Sequence, residues 1–215
     1  MKLSKGTKLL ILGILLVVID QIIKILVKTN MTIGEHFSVI GNWFQIYFIE
    51  NEGMAFGMKF GGQVGKFLLS VFRIILFGAL VYWIRGMLKR KDVPTGVVVG
   101  LTLITAGALG NIIDCLFYRL VFGASTYTEV AQFLPEGGGY APFFFGKVVD
   151  MFYFPIIDTT FPEWMPWIGG NPFRFFAPVF NFADSCVTCG ALYLIFFQWR
   201  FFAKDDGKKA DGKAK

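Results

Sequence analysis

The chain has 215 residues, of which 55% are hydrophobic, 18% aromatic and only 17% charged, with a formal net charge of +6. This is the composition of a membrane protein rather than of a soluble globular domain. The positive charge carries no basic face with aromatic or groove-reading residues, so no nucleic-acid partner is expected.

Lys2, Lys5 and Lys8 precede a first apolar run, Lys8 to Val27, which is long enough to span a bilayer and is interrupted by Asp20 and Lys24. The start imitates a secretory signal peptide, but Asp20-Gln21-Ile22-Ile23-Lys24 stands where a small-x-small cleavage site belongs, so an uncleaved span is expected. An outer segment follows. It contains a β-forming aromatic run, Asn42 to Ile49, turn residues at Glu50-Asn51-Glu52-Gly53, and a return through Met54 to Phe60. Turn residues between apolar strands predict a small outer hairpin or sheet over 30–65, with its aromatics at headgroup level.

The second span, Phe67 to Ile84, holds Arg73. A short connection with Arg85, Lys89, Arg90 and Lys91 leads to the third span, Val97 to Leu120, interrupted by Asn111 and Asp114. Residues 118–177 contain Gly137-Gly138-Gly139, several prolines, Trp164 and Trp167, and predict an irregular outer insertion with Asp150 inside it. The fourth span, Pro178 to Phe197, has Asn181 and Asp184 near its start. The tail 203–215 is charged and non-aromatic, and disorder is expected there. More than half of the 21 basic residues fall before span one, between spans two and three, or after span four. All of these lie on one side of a four-helix arrangement, so both termini are expected in the cytoplasm.

A carboxylate at a bilayer boundary costs free energy unless it is paired, so Asp150 and Asp184 are candidate functional groups. Two carboxylates able to share one proton are the equipment of an aspartic hydrolase. In the third span Gly107, Asn111 and Asp114 lie on one helical stripe; in the fourth, Asn181, Asp184 and Thr188 do the same. With Asp20, three helices bring polar groups to one level near the outer face. Cys115, Cys186 and Cys189 form no disulfide framework, and with His36 the only histidine a zinc site lacks ligands; they are expected to be small packing residues, and no metal is implied.

The motifs Asp20-Gln-x-x-Lys24, Asn51-Glu-Gly53-Met-Ala55-Phe56, Gly107-Ala-Leu-Gly110-Asn111-x-x-Asp114, Val148-Val149-Asp150 and Phe180-Asn181-x-Ala183-Asp184-Ser185 resemble lipoprotein signal peptidase (signal peptidase II) in content and order, from about Ile14 to Gly190. The resemblance implies a bacterial cytoplasmic-membrane aspartic peptidase without a cofactor. Its implied fold is a four-transmembrane-helix bundle with a periplasmic β-cradle. Its substrates would be diacylglyceryl-modified prolipoproteins met within the membrane lipid, cut before the lipidated cysteine, and globomycin-type compounds would inhibit it. By the same resemblance Asp150 and Asp184 are the catalytic pair. Asp20, Lys24, Asn51, Gly53, Gly107, Asn111, Asp114, Asn181 and Ala183 support them or the substrate. The family commonly places Arg after the third-motif aspartate, where this chain has Cys115. Either Arg119 substitutes or that interaction is absent. The gaps on both sides of Asp150 look longer than usual, as insertions would make them.

Three other readings stay open on sequence grounds. A Ser–Lys peptidase would use Ser185 or Ser38 with Lys24. A proton-coupled transporter would use intramembrane Asp residues as relays. A lipoprotein-binding scaffold would need neither aspartate. The peptidase reading requires the acids of Asp150 and Asp184 to meet near one water just beneath the periplasmic surface, in a chain expected to work as a monomer.

Overall fold

A computed structural model describes residues 3–52, 62–140 and 143–203. Four helices carry the chain: α1 (Lys5–Asn30), α2 (Gly62–Leu88), α3 (Thr95–Val121) and α4 (Phe182–Phe197). Six strands accompany them: β1 (His36–Ile40), β2 (Phe44–Asn51), β3 (Val148–Tyr153), β4 (Ile157–Thr160), β5 (Pro172–Phe175) and β6 (Val179–Phe180).

The helix ends follow local chemistry. Ser4 opens α1, its Oγ accepting from the Thr7 amide at 3.1 Å. Pro94, which cannot donate a helical hydrogen bond, immediately precedes α3. Asn181 opens α4 with a reciprocal capping box: its side chain accepts from the Asp184 amide, and the Asp184 carboxylate accepts from the Asn181 amide.

The first three helices are long and apolar enough to cross a bilayer. Their outward surfaces are hydrocarbon. On α1, Leu10, Ile14, Val18, Ile22 and Leu26 recur every fourth residue and all are exposed, a stripe that only lipid would solvate well. The expected fourth span is shorter than its apolar run, because Val179–Phe180 pairs as a strand before α4 begins. Sixteen residues of α-helix cover about 24 Å, and helical residues 199–203 follow a bend at Gln198.

Glycine sets how closely α3 meets α4. A Cβ at Gly107 would lie 2.2 Å from the Ala183 carbonyl oxygen, and one at Gly190 would lie 2.8 Å from the Gly100 carbonyl oxygen. Only glycine permits this backbone approach.

A four-stranded antiparallel sheet in the order β1-β2-β3-β6 caps one end of the bundle. The small outer sheet expected from this segment is present, with β2 paired to β1 on one edge and to β3 on the other; the expected return through Met54–Phe60 falls within residues 53–61, which lie outside those described. The insertion is also more regular than its prolines and glycines suggest. It supplies β3 and a separate β4–β5 hairpin, and β3 lies between β2 and β6, so Asp150 sits on a central strand rather than in a loop. Of the expected disordered tail 203–215, Ala203 is helical and residues 204–215 likewise lie outside those described.

Two apolar clusters bracket the bundle. One joins the sheet to the helix ends through Val27, Met31, Phe48, Tyr118, Phe122, Val149 and Met151. The other, around Leu9, Met87, Val97, Val98, Leu101 and Leu194, fills the opposite end. Between them lies a layer of buried polar side chains.

Candidate active site

The polar layer begins with an ion triad. Lys24, fully buried, donates to Asp20 at 2.9 Å, to Asp114 at 2.8 Å and to Asn111 Oδ1 at 2.9 Å. An ammonium has three N–H donors, and all three are used. Each carboxylate has a second task. Asp20 Oδ1 accepts from the Ala183 amide at 2.9 Å, which satisfies one of the open donors at the start of α4. Asp114 Oδ2 accepts from the Val149 amide at 3.4 Å, on the strand that carries Asp150. The triad thus ties α1, α3, α4 and β3 together at one depth.

Gln21 completes the triad and was not singled out from the sequence, although it stands inside the first motif. Its Nε2 lies within reach of Asp20 Oδ2, Asp114 Oδ1 and the Gly110 carbonyl, and Tyr118 donates to its Oε1 at 3.1 Å. Gly110 leaves room for this group, since a Cβ there would fall 2.4 Å from Asp20 Oδ2. A second network also escaped sequence reading. Buried Lys28 pairs with Glu50 and donates to Ser125 at 2.8 Å, and Lys147 reaches Glu50 at 3.3 Å. It fastens the end of α1 to β2 and to the insertion. Lys28 lies one helical turn beyond Lys24, which was the available signal.

Asp150 and Asp184 are held differently. Asn181 Nδ2 donates to Asp150 Oδ1 at 2.7 Å, while Asn181 closes the capping box with Asp184. Asn111 Nδ2 donates to Asp184 Oδ1 at 2.8 Å, and its Oδ1 accepts from Asn181 at 3.2 Å. Asn51 Nδ2 reaches Asp150 Oδ2 at 3.3 Å. Two asparagines therefore bridge the acids, and neither aspartate forms an ion pair among the described residues. Asp150 is 2% exposed. Burial first, and the charge of Asp184 second, push its carboxyl up to about 7, against the opposing hydrogen bonds from Asn181 and Asn51.

Ten of the expected site residues thus converge: Asp20, Lys24, Asn51, Gly107, Asn111, Asp114, Asp150, Asn181, Ala183 and Asp184. Gly107 and Ala183 act by their small size, because the Ala183 carbonyl packs directly on Gly107. Gly53 lies outside the described residues.

At position 115, Arg73 rather than Arg119 supplies the nearby cation. Its Nη1 donates to Cys115 Sγ at 3.3 Å, whereas the Arg119 guanidinium lies 5.0 Å from the centre of the Tyr140 ring. The Ser–Lys alternative finds no support in these contacts. Ser185 donates to the Asn181 carbonyl of its own helix, Ser38 is on exposed β1, and Lys24 is committed to the triad.

The sequence profile of the family described as Signal peptidase (SPase) II matches residues 12–200. The lipoprotein signal peptidase of Porphyromonas gingivalis is 46% identical over 194 residues, covering 90% of this chain and 84% of that protein. The lipoprotein signal peptidase of Amoebophilus asiaticus is 33% identical, covering 86% and 74% respectively. In three dimensions the chain is similar to a bacterial membrane enzyme solved by the in meso method at 2.3 Å, with a TM-score of 0.58 and 25% identity over 92% of this chain and 91% of that one. A second, at 1.9 Å, has a TM-score of 0.55 and 27% identity over 88% and 90%. Sequence match and fold agree across nearly the whole length, and the chain belongs to the signal peptidase II family.

Proposed function

We propose that the chain removes signal peptides from diacylglyceryl-modified prolipoproteins, cutting before the lipidated cysteine, and that it does so as an aspartic endopeptidase through Asp150 and Asp184. Family membership supports the peptidase activity. One observation carries the aspartic assignment: two acids from separate elements, a strand and a helix start, both bond Asn181, whose side chain donates to Asp150 and whose backbone amide donates to the Asp184 carboxylate, and neither acid forms an ion pair among the described residues.

Close carboxylates do not both ionise cheaply, so the pair shares one proton. The raised affinity of Asp150 for a proton gives it the acid role near neutral pH. Asp184, at the N-terminus of α4 where negative charge is favoured, is then the carboxylate that takes a proton from an attacking water. The protonated Asp150 hydrogen-bonds the scissile carbonyl, stabilises the developing oxyanion and afterwards helps protonate the leaving amine. The reaction proceeds without a covalent intermediate. Asn111, Asn181 and Asn51 orient the carboxylates, while Asp20, Lys24 and Asp114 hold the elements that carry them.

By the distribution of basic residues the protein sits in the bacterial cytoplasmic membrane, with both termini inside and the site near the periplasmic face. A monomer suffices, since one chain provides every residue of the site. Globomycin-type compounds should block it.

The test is gel-shift cleavage of a diacylglyceryl precursor by the intact protein and by Asp150→Asn and Asp184→Asn. Precursor converted by the first and left intact by both variants, with folding preserved, supports the proposal. Substantial cleavage by either variant removes that residue from the pair. A scaffold role would leave precursor binding intact and cleavage absent in all three proteins.

A further inference from the structure

A groove of about 460 Å³ runs between α1 and α2 with α3 as its floor, from the end of the bundle opposite the sheet toward the polar layer. On α1 it extends from Gly6 to Val18 and on α2 from Phe77 to Leu88, a length of roughly 16–18 Å by helical rise. That matches about half the hydrocarbon thickness of a bilayer. Its walls offer almost nothing but hydrocarbon. The two hydroxyls in the lining, Thr102 and Thr105, donate to Val98 and Leu101 carbonyls of their own helix and so turn away from any occupant.

Charge appears only at the mouth. Arg85 lines the groove there, and Lys89 follows in the turn immediately after α2. Both are exposed, and neither side chain makes a hydrogen bond or ion pair among the described residues. Hydrocarbon walls one leaflet deep beneath two uncommitted cations have the chemistry of a single anionic phospholipid: one acyl chain in the groove, the phosphate at Arg85 and Lys89.

We propose that this groove binds an anionic phospholipid of the cytoplasmic leaflet, a topology that rests on the reading given above. The competing occupant is the signal helix of a substrate. Such helices begin with a cationic segment, which would come to rest against Arg85 and Lys89, and this repulsion favours the lipid.

Native mass spectrometry of the full-length protein in detergent, titrated with phosphatidylglycerol or phosphatidylcholine, tests the site. One phosphatidylglycerol should be retained with about tenfold or greater preference. An Arg85→Gln/Lys89→Gln double variant should bring the two lipids to parity. Groove-filling Val81→Trp and Val17→Trp, on opposite walls, should each lower retention of both lipids, and precursor cleavage by these variants should stay within about twofold of the parent. Equal retention of the two lipids by the unaltered protein, or a preference that survives the double variant, overturns the proposal. So does a large rise in KM for precursor in either tryptophan variant, which would assign the groove to the signal helix. Lipid retention is read by mass, so it stands or falls separately from peptidase activity.

Discussion

Four aspartates share one polar layer: Asp20 and Asp114 ion-pair with Lys24, while Asp150 and the half-buried Asp184 form no ion pair among the described residues. Asp20 and Asp114 both contact Lys24, whose donors are all used, and both accept backbone amides from neighbouring elements. Asp150 and Asp184 instead take their hydrogen bonds from the neutral amides of Asn51, Asn111 and Asn181. A carboxylate paired with an ammonium ties together the elements that carry the two charges. A carboxylate held by amides keeps its orientation while remaining able to gain and lose a proton. Between Asp114 and Asp150 the difference lies in partners and not in burial, since they are 0% and 2% exposed.

The contrast breaks most visibly under substitution of the uncompensated pair. Asp150→Asn and Asp184→Asn should each lower cleavage by about 10³-fold or more while the protein still folds. Lys24→Met should do the reverse. It leaves two carboxylates buried without a cation, which costs about 3–5 kcal/mol, read as a lowered Tm and a poor yield of folded protein in detergent. A Lys24→Met protein of unchanged Tm would show that the triad is no fastener.

Packing between the two groups gives a smaller effect. Gly107→Ala forces a methyl group against the Ala183 carbonyl, which should cost about 1–3 kcal/mol and displace the start of α4. Cleavage should fall with Tm in this variant, since Asp184 lies in that first turn.

Protonation supplies the finest test. With Asp150 as the acid, kcat/KM should fall as pH rises through about 7. The bond from Asn51 opposes the rise of the Asp150 pKa, so Asn51→Ala should move this fall to higher pH; a shift to lower pH would contradict the assigned contact. Stability follows the same sign. A folded pKa above the unfolded value contributes stability that is fully present below about pH 4 and lost as pH rises through about 7. Asp150→Asn should flatten that part of the Tm profile.

Much of this was legible in the sequence, for identifiable reasons. Helical spacing put Asn111 with Asp114, and Asn181 with Asp184, because a helix repeats every three to four residues. The motifs then located the acids. The placement of Asp150 was less legible. Its strand pairs with β2, about a hundred residues earlier in the chain, and local composition around 137–177 carries only the signal of turns. The boundary of the fourth span was missed for a related reason: Val179 and Phe180 are as apolar as a helix start, and only pairing with Tyr153 and Phe152 makes them a strand. The contact between Arg73 and Cys115 joins two helices through side chains 42 positions apart, a relation that no local pattern encodes.

The central claim is that Asp150, buried and held by neutral side-chain amides, carries a proton near neutral pH. Isotope-edited infrared titration of the aspartate carboxyl groups measures this directly. The unaltered protein should show a protonated-carboxyl band that disappears with a midpoint near pH 7, is absent in Asp150→Asn and persists in Asp114→Asn. A band that survives Asp150→Asn, or that vanishes in the ordinary carboxylate range near pH 4, would contradict the account.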